Sequence, residues 1–345
     1  MSFATITSDG PIPVILIGAG FWGGEWLKAL PDAPAVRLVG FVDAVPGLLS
    51  SRVEEFGLDV VTGTSLAEVA AATGAIAIIN ATPHSAHLQI TLEALGLGLH
   101  VLGEKPLASS LAEAVQLETA AAASGLLFMV SQSRGYIDPL FALRDALAGH
   151  TPVSLSQRFA GHAGNPGDVG FRFTMESPLL TDMSIHHFDA ARLVLGQDAV
   201  WVQCTESNPD WSWFDGAAVA HATFGMANGT VYQYEGSWVA LGGQTSWNAD
   251  WSVATSSGSL GWNGEDAATS VAPDGTVSTL QGTSPHGEYL VGGATAFADA
   301  LRSGVEPRGI VSENIQSLAM VHAAMLSART GERIDVQELI KTARG

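Results

Sequence analysis

The sequence predicts a doubly wound parallel α/β domain over residues 1–150, followed over 151–345 by an α+β domain with an open, mainly antiparallel sheet. Three observations predict it. A chain of 345 residues is longer than one ordinary core needs, so two domains is the starting expectation. From Val14 to about Val130, short apolar β-type runs alternate with longer alanine- and leucine-rich stretches, the pattern of a parallel sheet crossed by helices. After about Pro152 the texture changes to strands rich in Thr, Ser, Val, Trp and Gly.

In order, first-domain strands are expected at Val14–Gly18, Arg37–Val42, Val60–Thr62, Ala75–Ala81, His100–Leu102 and Leu126–Ser131. Helices are expected between them at Trp22–Leu30, Pro46–Phe56, Leu66–Ala72, Ser85–Leu97 and Ser109–Ala123. The fourth and sixth strands are apolar throughout, as when helices cover both faces. In the second domain a helix over Leu180–Leu195 precedes the sheet. Turns fall at Ala227–Gly229, Ser257–Gly258 and Pro273–Gly275, and helices follow at about Tyr289–Arg302 and Glu313–Arg329. The C-terminal helices are free to pack back on the first domain.

Acidic side chains number 34 against 15 basic, a formal charge of −19, in a chain only 14% charged. A negative surface repels nucleic-acid backbones and anionic lipid, so neither is an expected partner. Cys204 stands alone, excluding an internal disulfide. No run resembles a signal peptide or a membrane span, and the cytoplasm is the expected compartment.

The run Val14-Ile-Leu-Ile-Gly18-Ala-Gly20-Phe21-Trp22-Gly23 puts a glycine-rich turn between a strand and a helix. Gly18 allows the tight turn, Gly20 lets a pyrophosphate approach the backbone, and Gly23 allows close helix–strand packing. This is the dinucleotide fingerprint of a Rossmann domain; the competing reading is a purely structural glycine turn. Asp43 ends the next strand 20 residues beyond Gly23. A carboxylate there accepts from ribose hydroxyls and repels a 2′-phosphate, favouring NAD over NADP, although Asp43 also suits a helix cap.

Two further loops at strand ends should face the cofactor: Asn80-Ala81-Thr82-Pro83-His84-Ser-Ala-His87 and Gly103-Glu104-Lys105-Pro106. The two histidines lack a third ligand nearby, so no metal is expected. Charges are scarce, and a lysine ending an interior strand needs a partner or a task; an ammonium there stabilises an oxyanion as hydride departs. The alternative is a surface ion pair between Glu104 and Lys105.

In the second domain, Pro178–Arg192 carries Asp182, His186 and Asp189 at helical spacing, with His187 rotated away. An imidazole flanked by carboxylates suits a general base, and a purely structural histidine is the competing reading. The polar segment Arg158–Phe173, with Arg158, His162, Asn165, Asp168 and Arg172, offers hydroxyl-binding side chains, as does His187. Seven of the nine tryptophans lie between Trp201 and Trp262; they suit a sugar platform, and suit packing in the sheet or at an interface better.

Together these motifs resemble the Gfo/Idh/MocA oxidoreductases over nearly the whole chain: the glycine loop, Ala81-Thr82-Pro83, Glu104-Lys105-Pro106, Asp182-x-x-x-His186-x-x-Asp189, and the closing segment with Ser-Ala-Arg-Thr-Gly. The resemblance implies a dehydrogenase acting on a sugar, cyclitol or related polyol. It implies catalysis by Lys105, Asp182 and His186, and a cofactor lying near Gly18, Gly20, Phe21, Trp22, Gly23, Asp43, Ala81, Thr82, Pro83, His87, Glu104 and Lys105. It also implies a homodimer or homotetramer. Two positions depart from the family pattern: Ser184, where Asp-x-Gly is usual, and Gly149-His-Thr-Pro152, in place of a Gly-x-x-Gly turn. An NAD-dependent glycoside hydrolase working by transient oxidation and a non-catalytic cofactor sensor are the competing functions.

Overall fold

The structure is a computed structural model that describes residues 3–162 and 170–345. The chain forms two compact units, each built from two stretches: residues through Tyr136 with Pro285–Ile315, and Ile137–Ser284 with Gln316–Gly345. The division thus falls at 136/137 and again further on, where the sequence reading placed a single one at 150/151.

In the first unit the order is β1 (Ile12–Ile17), α1 (Phe21–Ala29), β2 (Val36–Val42), α2 (Pro46–Phe56), β3 (Val61–Gly63), α3 (Leu66–Thr73), β4 (Ala77–Asn80), α4 (His84–Gly96), β5 (His100–Glu104), α5 (Leu111–Ser124) and β6 (Phe128–Ser131). The six strands lie in the order β3-β2-β1-β4-β5-β6, and every pairing is parallel. Strands β4, β5 and β6 are buried along their whole length, as a sheet covered on both faces requires. The order reverses between β1 and β4, and by the switch-point rule ligands bind beyond the carboxyl ends there.

In the second unit α6 (Asp138–Ala146), which the sequence reading did not place, packs against α7 (Ile185–Leu195). That contact, together with the hydrogen bond from the Ser284 amide to Asp138, explains why the boundary precedes α6. The sheet comprises β7 (Ser154–Ala160), β8 (Ala199–Ser207), β9 (Val219–Met226), β10 (Val231–Ser237), β11 (Asp250–Thr255), β12 (Gly258–Trp262), β13 (Thr269–Val271), β14 (Val277–Thr279) and the short β15 (Ile334–Asp335). Its order is β14-β13-β12-β11-β7-β10-β9-β8-β15, parallel at β7–β10 and antiparallel elsewhere. Side chains alternate across it. Tyr232 and Tyr234 are buried with Phe188 of α7 against them, while Gln233 and Glu235 lie exposed on the opposite face.

The expected helix over Leu180–Leu195 is present and continuous but opens with a wider winding: Leu179–Ser184 forms a π turn and α7 begins at Ile185. The Ser184 hydroxyl donates to the Leu179 carbonyl five residues back at 3.1 Å, a span suited to the wider turn. Asp182 thus lies in the π turn and His186 in the first turn of α7. After β14 the chain returns to the first unit with α8 (Tyr289–Ser303), whose Phe297 and Leu301 join the core of β1, β2 and β4. Met129 of β6 bridges Ile310 beyond it. Then α9 (Val311–Thr330) and α10 (Val336–Arg344) close the chain. None of the helices described is long and apolar enough to cross a membrane.

Candidate active site

The first unit gathers its candidate residues at the carboxyl ends of β1, β2, β4 and β5. Gly18 takes φ +103°, and a Cβ there would meet the Ala81 carbonyl oxygen at 2.7 Å. A Cβ on Gly23 would strike the Gly18 carbonyl at 1.9 Å, so the first turn of α1 rests directly on the strand end. At Gly20, by contrast, a Cβ would meet nothing within 4 Å. Gly20 is the N-cap of α1, has no side-chain cap bond, and is followed by no acid in the first turn. Open backbone amides at a positive helix end fit a pyrophosphate, and the residues present therefore fit a dinucleotide.

Asp43 braces this loop. One carboxylate oxygen accepts from the Ala19 amide at 2.6 Å and the other from the Val45 amide at 2.7 Å. Arg52, which sequence reasoning missed, donates its Nε to the Ala19 carbonyl at 3.1 Å and pairs with Glu55 at 2.6 Å. Nothing in the sequence pattern marks an arginine in mid-helix as a support for a loop 33 residues away.

Thr82 follows Asn80, whose side-chain oxygen accepts from the Thr82 hydroxyl at 2.6 Å and amide at 3.3 Å. A polar residue closing an otherwise apolar strand was the signal for Asn80. His87 ties the two strand-end loops together: its Nδ1 lies 2.8 Å from the Pro106 carbonyl and its Nε2 3.0 Å from the Thr82 carbonyl. Burial lowers its pKa, countered by those carbonyl contacts and assisted by the nearby His84 and Lys105 charges. Pro83 is the N-cap of α4, and Ala81 is buried, its amide bonded to the Ile17 carbonyl at 2.8 Å.

Glu104 and Lys105 are 3% and 7% exposed, which excludes the surface ion pair considered above. The Glu104 carboxylate accepts the indole N–H of Trp26 at 2.9 Å and the Lys105 amide at 3.3 Å. The Lys105 ammonium sits 5.9 Å from the ring centre of Trp22, and Phe21, 69% exposed, stands edge-on to the same ring. Trp26, one turn beyond Trp22 on α1, is the second supporting residue missed; its partner is 78 positions away.

In the second unit, Asp182 lies in the π turn and receives the Nε of Arg172 in an ion pair at 2.5 Å, with the two side chains 24% and 14% exposed. His186 is 5% exposed at the start of α7. Asp189 accepts from the Ser317 hydroxyl at 2.7 Å and lies 3.8 Å from Arg192, which also bonds Asp198 at 2.7 Å. Those bonds anchor α7 to α9.

Two of the substrate candidates make defined contacts within the second unit. His187 is 2% exposed, with Nδ1 3.1 Å from the Tyr234 hydroxyl and Nε2 3.1 Å from the Trp247 carbonyl. The carbonyl can only accept, so Nε2 donates to it, and both nitrogens are engaged within the fold. Arg158 points to the uncovered face of the sheet, into a groove of about 600 Å³, 3.7 Å from Glu235 and 3.8 Å from Asp250. Alternation along β7 dictates this, because Phe159 faces His187 on the covered side, 5.1 Å between ring centres. His162 bridges Val239 and sets its ring edge-on to Trp213 at 4.7 Å. Asn165 and Asp168 lie outside the described residues. Arg172 touches Asp182. The tryptophans of the sheet pack mainly with protein: Trp251 against Trp262, Trp238 on Phe214, Trp247 near Phe159, and Trp201 under Arg333.

Comparison with known proteins shows the family of the chain. The model of the GFO/IDH/MocA oxidoreductase family, NAD-binding Rossmann fold, matches residues 12–132, and the GFO/IDH/MocA C-terminal domain matches residues 151–261. The chain belongs to this family. As a GFO/IDH/MocA protein it is an oxidoreductase with an NAD-binding domain. It is 28% identical to an inositol 2-dehydrogenase of Streptomyces avermitilis, covering 94% of each chain. It is 25% identical to a D-apiose dehydrogenase of Paraburkholderia graminis, covering 97% of this chain and 92% of that one. A solved oxidoreductase from Agrobacterium radiobacter, in complex with NAD+, L-tartaric acid and magnesium, superposes with a TM-score of 0.84. It covers 95% of this chain and 99% of its own at 21% identity, a likeness of fold.

Proposed function

We propose that this protein is a dehydrogenase that oxidises a hydroxyl of a sugar, cyclitol or related polyol, using NAD in preference to NADP. The observation that carries the reading is the buried Glu104-Lys105 pair at the carboxyl end of β5, beside the switch point. A cation held at 7% exposure there is positioned to stabilise negative charge on a substrate oxygen. The relatives named inositol 2-dehydrogenase and D-apiose dehydrogenase, both matched over most of their length, support the substrate class.

In this proposal Gly18, Gly20 and Gly23 hold the pyrophosphate, and Asp43 disfavours a 2′-phosphate by its charge. NAD, when bound, supplies the hydride acceptor. His186 takes the proton of the reacting hydroxyl, Lys105 stabilises the alkoxide, and Asp182 sets the electrostatic environment of the base. The assembly proposed is a homodimer or homotetramer, read by light scattering of the purified protein.

The test is a screen of monosaccharides, anhydrosugars and inositols for absorbance change with NAD and with NADP separately. On the substrate so found, Lys105→Met and His186→Gln should each lower kcat by about 10²–10⁴, the range for a single acid–base group. NADH affinity, followed by fluorescence, should stay near the wild-type value. Near-normal turnover by Lys105→Met would remove the assignment.

A further inference from the structure

Arg172 does more than neutralise Asp182. Its Nε edge takes the Asp182 carboxylate at 2.5 Å, and its guanidinium lies over the ring of Phe171, 4.8 Å from the centroid. Among the described residues no protein group receives its two terminal amino groups, although the side chain is only 24% exposed. A guanidinium is a rigid planar fork, and here one edge is fixed, one face is stacked and the remaining donors are left for a ligand. The fork suits two oxygens on neighbouring carbons.

Charge decides which oxygens. Arg172 and Asp182 sum to zero, so a substrate carboxylate reaching the fork would meet the Asp182 charge beside it, whereas neutral hydroxyls would not. The half-exposed ring of Phe171 adds an apolar surface beside the fork, suited to the C–H side of a saturated ring.

We propose that Arg172 is a positioning and specificity-determining residue that binds two vicinal hydroxyls of a neutral cyclic polyol and thereby couples substrate binding to the placement of Asp182. This rests on the dehydrogenase reading above and deepens it.

The test uses the full-length protein with NAD and a panel of myo-inositol, D-glucose, D-xylose and 1,5-anhydro-D-glucitol, each beside a matching deoxy analogue, with D-glucuronate as the anionic counterpart of glucose. Arg172→Lys keeps the charge and removes the fork. It should raise KM for the best polyol by about 10- to 100-fold, the range for losing charge-assisted hydrogen bonds. On the deoxy analogue the same change should cost less than about threefold, because that contact is already absent. Arg172→Met should regain activity when millimolar guanidinium is added. NADH affinity of both variants and the melting temperature of Arg172→Lys should match the wild type; Arg172→Met, which removes the ion pair with Asp182, should melt lower, and Arg172→Lys carries the test if Arg172→Met fails to fold. Equal losses on polyol and deoxy analogue, or a preference for D-glucuronate over D-glucose, would overturn the inference while leaving the dehydrogenase standing. A wild-type enzyme inactive on the whole panel would instead remove the dehydrogenase reading, and this one with it.

Discussion

Replacing Asp43 with serine removes two hydrogen bonds and one charge in a single step. The bonds are those from the Ala19 amide at 2.6 Å and the Val45 amide at 2.7 Å, both short enough to be charge-assisted. Hydrogen bonds to a charged group contribute about 1.5–3 kcal/mol each, but Asp43 is partly exposed and water replaces some of that. A net loss of about 1.5–3 kcal/mol in ordering the glycine loop corresponds to roughly 10- to 150-fold weaker NADH binding. For NADPH the loop penalty is the same, yet removal of the carboxylate also lifts a repulsion from the 2′-phosphate, so its affinity should fall less or rise. The assay is a pair of fluorescence titrations, NADH and NADPH, on wild type and Asp43→Ser, with melting temperature as a control for folding. If both affinities fall by the same factor, Asp43 holds the loop and has no part in discriminating the ribose. If neither changes, the bracing role fails as well.

Further expectations follow from single contacts. In Gly23→Ala the new methyl would sit 1.9 Å from the Gly18 carbonyl, a backbone atom that cannot swing aside, so α1 must lift from β1 and NADH titration should show no binding in the measurable range. Glu206 illustrates a pH effect: burial pushes its carboxyl up to about 7, with Glu176 adding to the rise while the hydroxyl of Ser177, 3.0 Å away, and Arg329 oppose it. A carboxyl with a raised folded-state pKa binds protons more readily folded than unfolded, so its contribution to stability weakens as pH climbs from about 4.5 through 7. Glu206→Gln should therefore raise the melting temperature at pH 8 relative to wild type and change it little at pH 5, and an equal shift at both values would rule the effect out.

Much of the first unit was legible because its signals are local. The glycine turn, the apolar strands and the helix Pro46–Phe56, opened by a proline, all declare themselves within a window of ten residues or so. Helix α6 did not: it is only nine residues long, and its Pro139 sits in the first turn, where a proline's missing N–H costs nothing. In the second unit the sequence singled out Asp182 and His186 and placed them on one continuous helix, as found; what periodicity does not encode is its π winding over Leu179–Ser184, inside which the Ser184 hydroxyl bonds the Leu179 carbonyl. His187 was read as a substrate candidate because a histidine beside His186 is conspicuous, but its fate is set by Tyr234 and Trp247, 47 and 60 positions away. Trp26 under Glu104 and Arg52 under Ala19 are likewise contacts between distant segments, invisible until the sheet brings them together.

The capping pattern of the first unit shows how a chain of net charge −19 can still receive an anion. Helices α3 and α5 each begin with a serine whose hydroxyl accepts a backbone amide, Ser65 from Glu68 and Ser110 from Glu113, and each carries that glutamate in its first turn. Their positive ends are satisfied by the chain itself. Helices α1, α2 and α4 have neither a side-chain cap bond nor an acid in the first turn, and α1 and α4 among them follow β1 and β4 on either side of the switch point. A serine cap at α1 would stabilise the helix start by only a few tenths of a kcal/mol relative to glycine, so the choice of glycine costs the helix little while leaving its first amides open. The difference is electrostatic: uncapped amides at two neighbouring helix starts concentrate positive potential where the dinucleotide's phosphates belong, and the acids that dominate the composition are kept off those two turns.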